Sequence, residues 1–281
     1  MMDVLKRNNV RVIGKGDQTI VFAHGFGCDQ NVWRHFVTAY QEHYQLVLFD
    51  FVGAGQSDLT AYNSERYQLM DGYVADLLEV LEALALKQVI FIGHSVSCMI
   101  GARAALAKPD YFSNLIFVSP SPCYFNDGDY IGGMEKEDLE ALFNMMDSNY
   151  LGWSGAMAPL IMGNADRPEL GGELTANFCA TNPDIAREFA RVTFYTDCRT
   201  DLHALSVPSL TLQCSEDILA PLSVGYYIKK HTPGNTLVLL DATGHCPHLS
   251  APDKTIEAID GYLTANKAAI LEIPLSPDII I

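Results

Sequence analysis

The chain has 281 residues, enough for one large α/β domain with a substantial core, and its 49% hydrophobic and 19% charged residues strike an ordinary globular balance. With 34 acidic residues against 18 basic ones the net charge is −16, a surface that repels phosphate backbones and anionic membranes, so neither nucleic acid nor membrane is an expected partner. The seven cysteines (Cys28, Cys98, Cys123, Cys179, Cys198, Cys214, Cys246) are scattered, odd in number and without a C-x-x-C pair, which argues against a disulfide framework or zinc site and for a reducing compartment.

In chain order, MMDVLKRNNV carries no apolar signal core, and no later apolar run reaches membrane-spanning length, so the expected location is cytoplasmic. DVLKRNNVRVIGKG sets Asn8-Asn9 between two short β-like runs and reads as an edge hairpin. Six short, β-branched runs follow: TIVFA (19–23), QLVLF (45–49), QVIFI (88–92), NLIFV (114–118), SLTLQC (209–214) and TLVLL (236–240). They show little polar alternation, as expected of strands buried on both faces. Helical patterns lie between them, such as DGYVADLLEVLEALAL (71–86), whose leucines Leu77, Leu78, Leu81, Leu84 and Leu86 fall near one face. Strands alternating with helices predict an α/β fold, a mostly parallel central sheet flanked by helices.

That rhythm breaks between Cys123 and Asp201, where KEDLEALFNMMDSNYLGW, ELTANFCAT and PDIAREFARVTFYT are helical and no strand is evident. A helical insertion between the fourth and fifth buried runs reads as a cap over the sheet. The expected organisation is core over 1–122 and 202–267, cap over 123–201 and an apolar tail over 268–281. The tail, ending LEIPLSPDIII, is either a segment packed on the body or a contact for a partner.

The chemistry centres on IGHSVSCMI (92–100). A serine hydroxyl is a poor nucleophile unless a base takes its proton. In G-x-S-x-G hydrolases the serine sits on a sharp strand-to-helix turn with small neighbours. Here QVIFI supplies the strand, GHSVS the turn and CMIGARAALA the helix, with Ser97 where the second glycine is usual; its hydroxyl is expected to fold back on the local backbone. Such an elbow requires an acid and then a histidine, each after a later strand. Asp217 follows SLTLQC, and His245 follows TLVLL within DATGHCPH. Ser95, Asp217 and His245 are therefore the expected nucleophile, orienting acid and base, gathered at the carboxyl edge of the sheet.

Other residues compete for these roles. Glu216 adjoins Asp217, and His248 lies three residues past His245; Asp217 and the Gly244-His245 pair are preferred, leaving His248 structural. His94 orders the turn or lines the pocket floor, and Asp50 ties down the loop DFVGAGQSD. The oxyanion hole is expected from the amides of Val96, after the nucleophile, and Phe26, between Gly25 and Gly27 in HGFGCDQ. Neither glycine-rich loop has a G-x-G-x-x-G or P-loop pattern, and no cofactor or metal is expected.

With these motifs assembled, the chain resembles a narrow α/β-hydrolase subfamily that includes the bacterial stress regulator RsbQ and the plant karrikin and strigolactone receptors. The likeness runs through HGFGCDQNVW, LFDFVGAGQSD, RYQLMDGYVADLLEVLEAL, GHSVSCMIG, GGMEKEDL, NYLGW and DLHALSVPSLTLQC; SPSPCYFND and GHCPHLS look closest to RsbQ. The plant members carry the same serine at position 97. The resemblance implies an α/β-hydrolase fold with a four-helix cap over a small hydrophobic pocket. It implies slow hydrolysis of a small hydrophobic ester or lactone, coupled to signalling through a protein partner, a phosphatase in the RsbQ case. It also implies a pocket wall of Phe26, Tyr124, Met134, Trp153, Met157 and Phe194, with His94 and Val96 near the floor. Alternatives on the same scaffold are a ligand sensor acting through cap movement, a carbon–carbon hydrolase and a cofactor-free oxygenase. A dehalogenase would need aspartate where Ser95 stands.

Overall fold

In the computed structural model, residues 3–271 are described. Seven strands, β1 (Arg11–Gly14), β2 (Thr19–Ala23), β3 (Gln45–Leu48), β4 (Val89–His94), β5 (Phe112–Val118), β6 (Ser209–Glu216) and β7 (Asn235–Thr243), form one sheet in the order β1-β3-β2-β4-β5-β6-β7. Only β1 runs antiparallel, on β3; the rest are parallel, with Ile20 opposite Ile90 and Ile92 opposite Ile116 at the centre.

Alternation along each strand divides the core in two. Ile20, Phe22, Ile90, Ile92, Ile116 and Val118 face one side, while Val21, Ala23, Val89, Phe91, Leu115 and Phe117 face the other. On the chain before β4 the helices are α1 (Val4–Arg7), α2 (Arg34–Tyr40), α3 (Ser64–Tyr67) and α4 (Met70–Ala83), and α5 (Val96–Ala107) follows it. Between β5 and β6 lie α6 (Lys136–Ser148), α7 (Tyr150–Met162), α8 (Pro168–Ala180) and α9 (Pro183–Tyr195). The last three are α10 (Leu222–His231), α11 (Pro247–Ser250) and α12 (Pro252–Leu271). Helices α2 and α12 cover the first face through Phe36, Tyr40, Ile259 and Tyr262; α4, α5 and α10 cover the second through Tyr73, Leu77, Met99 and Ile228. Helices therefore sit on both faces, as parallel sheets require.

Four expectations need correction. The N-terminal segment is not a hairpin. Its first arm is α1, started by the Asp3 carboxylate accepting from the Leu5 N–H at 3.0 Å, and only the second arm is a strand. The cause is distant: Arg7 and Asn8 reach the buried Asp76 of α4 at 3.1 and 3.2 Å, a pull that no local β-like pattern reveals. KEDLEALFNMMDSNYLGW is two helices, because Asn149 leaves helical geometry and its Oδ1 caps Gly152 N–H at 3.0 Å. Strand β7 is a half-exposed edge rather than doubly buried, with Leu239 43% exposed. Finally, α12 continues to Leu271, so the first residues of the expected 268–281 tail are helical; residues 272–281 lie outside the described residues. Among the described residues no helix is long and apolar enough to cross a membrane.

Candidate active site

Ser95 occupies the turn between β4 and α5 at φ 57°, ψ −124°, a backbone conformation that costs a non-glycine residue energy and is held by the surroundings. Its N–H is fixed by the Val118 carbonyl of β5 at 2.9 Å. The turn is this sharp only because neighbours are small: a Cβ on Gly25 would stand 2.5 Å from His94 Nδ1 and 3.2 Å from Ser95 Cβ. Ser97 does not bond its own turn. Its hydroxyl reaches across the sheet edge to the His24 carbonyl, tying the HGFG loop to the elbow. A glycine there would lose that strap, which is why serine fits the position.

Asp217 and His245 arrive from the ends of β6 and β7. His245 Nδ1 lies 2.7 Å from Asp217 Oδ2, and His245 Nε2 lies 2.8 Å from Ser95 Oγ. Asp217 Oδ1 is occupied by the N–H groups of Leu219 (2.9 Å) and Ala220 (3.2 Å), so Oδ2 is left for the imidazole, and the carboxylate is fully buried. His245 is held from its backbone too: its N–H donates to Ile161 at the end of α7 (2.9 Å), and its carbonyl meets His94 Nε2 (2.9 Å). The preceding Gly244, at φ 90°, passes so close to Met162 that a Cβ would fall 1.8 Å from that carbonyl oxygen. This line of contacts can move the Ser95 proton to His245 while Asp217 holds the tautomer.

The competing residues take other places. Glu216 is exposed and accepts from Thr243 Oγ1 at 3.1 Å. His248 is fully buried, 4.8 Å from the Trp33 ring and 4.3 Å from His94, with burial pushing its pKa down to about 3. Burial likewise holds His94 well below the usual imidazole range, so it is a neutral support for His245 that also lines the cavity. Asp50 binds the N–H groups of Gln30 (2.9 Å) and Gln56 (3.0 Å) and the Asn9 amide (2.8 Å), pinning two loops.

Ser95 and His245 open on a small apolar cavity of about 30 Å³, walled by Phe26, His94, Trp153 and Phe194. Phe26 is its hub, with its ring within 6.5 Å of Trp153, Phe178, Phe189 and Phe194. The Val96 N–H, first in α5, has no intrahelical acceptor and carries the positive end of the helix; among the described residues the Phe26 N–H meets no acceptor either. The Val96 side chain is not on the cavity; it packs in the α4–α5 layer. Met134 and Met157 also stand back from the cavity, packed on the core behind it. Tyr124 is not wall either: its hydroxyl lies 3.1 Å from Ser95 Oγ.

Several lining residues carry no sequence signal of their own. Leu174 and Phe178 on α8, Thr193 on α9 and Ile161 on α7 look like ordinary helix interior. Cys28, Leu219 and Cys246 adjoin motif residues, and that adjacency is the one available clue. Both thiols stay protonated, Cys28 pushed up to about 12 by burial and then by Asp29, and Cys246 driven well above its usual value by burial. They are therefore not rivals to Ser95 as nucleophile.

The model of the alpha/beta hydrolase family matches residues 20–258 of this chain. A probable esterase of rice, Oryza sativa subsp. japonica, is 41% identical over 258 residues, 91% of this chain and 95% of its own length. "Karrikin insensitive 2 receptor CA" of Petunia hybrida is 39% identical over 91% of this chain and 95% of its own. Among solved structures, a hydrolase from Oleispira antarctica is 42% identical and superposes with a TM-score of 0.91, covering 93% of this chain and 96% of the other.

Proposed function

We propose that this chain, which belongs to the alpha/beta hydrolase family and is a hydrolase, cleaves a small hydrophobic ester or lactone through Ser95, His245 and Asp217 by way of an acyl-enzyme. What supports the reading is the line Asp217 Oδ2–His245 Nδ1 (2.7 Å) and His245 Nε2–Ser95 Oγ (2.8 Å), opening directly on an apolar cavity. Ser95 Oγ attacks the carbonyl carbon as its proton passes to His245 Nε2. The oxyanion is received by the amides of Val96 and Phe26. The carbon–oxygen bond to the leaving group breaks, and that oxygen takes the proton from Nε2. Water then attacks the acyl carbon, losing a proton to Nε2, and Oγ leaves and regains a proton.

The segment 123–201 acts as the cap. Trp153, Phe178 and Phe194 on its helices set the acyl or lactone ring that fits, and the apolar lining favours an uncharged substrate. The esterase and receptor names of the relatives support coupling of this site to ligand perception. Output through a protein partner, a phosphatase, rests on the sequence resemblance to RsbQ alone. A second reading, a ligand sensor with vestigial or slow hydrolysis, is favoured by the receptor relative at 39% identity.

The test is turnover of a short-chain aryl ester and of a butenolide by the wild type and Ser95→Ala, followed by intact-protein mass spectrometry. A transient adduct and product release in the wild type alone support the hydrolase reading. If neither compound is turned over yet the butenolide raises the melting temperature, the sensor reading replaces it.

A further inference from the structure

Ser95 Oγ has two partners, His245 Nε2 at 2.8 Å and the Tyr124 hydroxyl at 3.1 Å, but it owns one hydrogen. The proton count settles who donates. Asp217 accepts two backbone N–H bonds at Oδ1 and can only accept at Oδ2, so His245 Nδ1 carries its hydrogen toward Asp217. Nε2 is then a lone pair and takes the Ser95 hydrogen. Toward Tyr124, Oγ can therefore only accept, and Tyr124 donates.

Tyr124 is built to keep that role. It is 2% exposed, its backbone is fixed by Met134 N–H on Tyr124 O at 3.1 Å, and its ring meets Phe194 edge-on at 5.0 Å. Burial raises its pKa, so the hydroxyl stays protonated and loses no proton to Oγ.

We propose that Tyr124 is a catalytic donor that speeds release of Ser95 from the acyl-enzyme and does not speed its attack. The proposal rests on the acyl-enzyme reading above. In acylation Oγ is the nucleophile, and a hydrogen bond donated to it draws off electron density. In deacylation Oγ is the leaving oxygen. Water gives a proton to Nε2 and bonds the acyl carbon. The carbon–Oγ bond breaks with its electron pair going to Oγ, and Nε2 returns a proton there. The Tyr124 hydrogen bond strengthens as charge gathers on Oγ and is still in place when Ser95 is regenerated, Tyr124 keeping its own proton throughout. The donor thus sets the balance between the two half-reactions, favouring turnover over a long-lived acyl-enzyme.

The variant is Tyr124→Phe, which keeps the ring and its packing on Phe194. Tyr130→Phe is the control, since that hydroxyl donates to the Cys123 carbonyl at 2.7 Å in the same segment without touching Ser95. Pre-steady-state release of an aryl alcohol and intact-protein mass spectrometry read both half-reactions. In Tyr124→Phe we expect kcat to fall about ten-fold, as for loss of one hydrogen bond to developing charge. We expect kcat/KM to hold or rise, KM to drop accordingly, and the acyl adduct to dominate at steady state, with Tyr130→Phe behaving as wild type. A structural role predicts instead that kcat and kcat/KM fall together. That outcome, or an adduct no more abundant than in the wild type, overturns the proposal while the wild-type adduct still stands for the acyl-enzyme reading. Absence of any adduct and of any burst in the wild type overturns both. Should Tyr124→Phe fold poorly, incorporation of a fluorinated tyrosine at 124 replaces it: a stronger donor must raise kcat if release limits turnover, and an unchanged or lower kcat refutes the role.

Discussion

The sheet edge and the four helices above it hold the same cavity by different means. At the edge, position is written into the backbone: Ser95 N–H on Val118, Gly244 N–H on Glu216 at 2.7 Å, and Asp217 accepting from its own loop. Among the helices, position comes from packing of rings: Trp153 stacks on Phe178 at 5.6 Å and 10°, and both meet Phe26. Hydrogen bonds are directional and fix a reacting atom to a fraction of an ångström; ring packing fixes a volume and tolerates exchange. On the proposed function, the triad chemistry falls to the first region and choice of ligand to the second. They meet where the carbonyl of Ile161 on α7 accepts the His245 N–H.

That division predicts unequal responses to mutation. Ser95→Ala is expected to lower aryl-ester hydrolysis about a million-fold, to the residual rate that oxyanion donors and binding alone supply, with the melting temperature unchanged within a few degrees; an acyl adduct in that variant would break the comparison at its strongest point. Asp217→Asn is expected to keep roughly ten to a hundred times the residual rate of Ser95→Ala, because nucleophile and base remain. Trp153→Ala acts on the other region. It is expected to cost about 3 kcal/mol in urea denaturation and to raise hexanoyl over acetyl ester selectivity by enlarging the cavity. A collapse of both rates without a shift in selectivity would argue that the helices govern the chemistry as well.

The smallest effect is electrostatic. His248 is neutral in the folded chain, its pKa pushed down to about 3 by burial, while the unfolded chain takes up a proton there below about 6.5. Its contribution to stability is present above pH 6.5 and is lost as pH falls toward 3, by up to ~1.4 kcal/mol per pH unit. His248→Phe should flatten the acid limb of stability measured against pH, and an unchanged slope would show the site to be hydrated.

The legibility of the sequence follows the same division. TIVFA coincides with β2, and the other runs find their strands within a few residues; apart from the half-exposed β7 they are buried parallel strands, which read as continuous apolar segments. Ser95, Asp217 and His245 are readable because each follows such a segment, so strand order alone brings them together. The family resemblance puts Met134 and Met157 on the pocket wall, where they do not stand, and it passes over Phe178 and Leu174. Helix register in this region answers to the ring cluster around Phe26 and not to local pattern. Tyr124 departs from the expected wall for a similar reason. Its reach to Ser95 depends on the bridge between Phe125 and Met134, a pairing across a loop that sequence spacing does not announce. The expected N-terminal hairpin fails because Asp76, more than sixty residues away, decides how residues 4–9 fold.

The most direct measurement is the site and rate of labelling by an aryl fluorophosphonate, mapped by peptide mass spectrometry in the wild type, Ser95→Ala and His245→Ala. A single adduct on Ser95 in the wild type, none in Ser95→Ala and labelling slowed by at least about a hundred-fold in His245→Ala is the expected result. Labelling at another residue, or equal rates in the wild type and His245→Ala, would contradict a serine activated by the histidine 2.8 Å away.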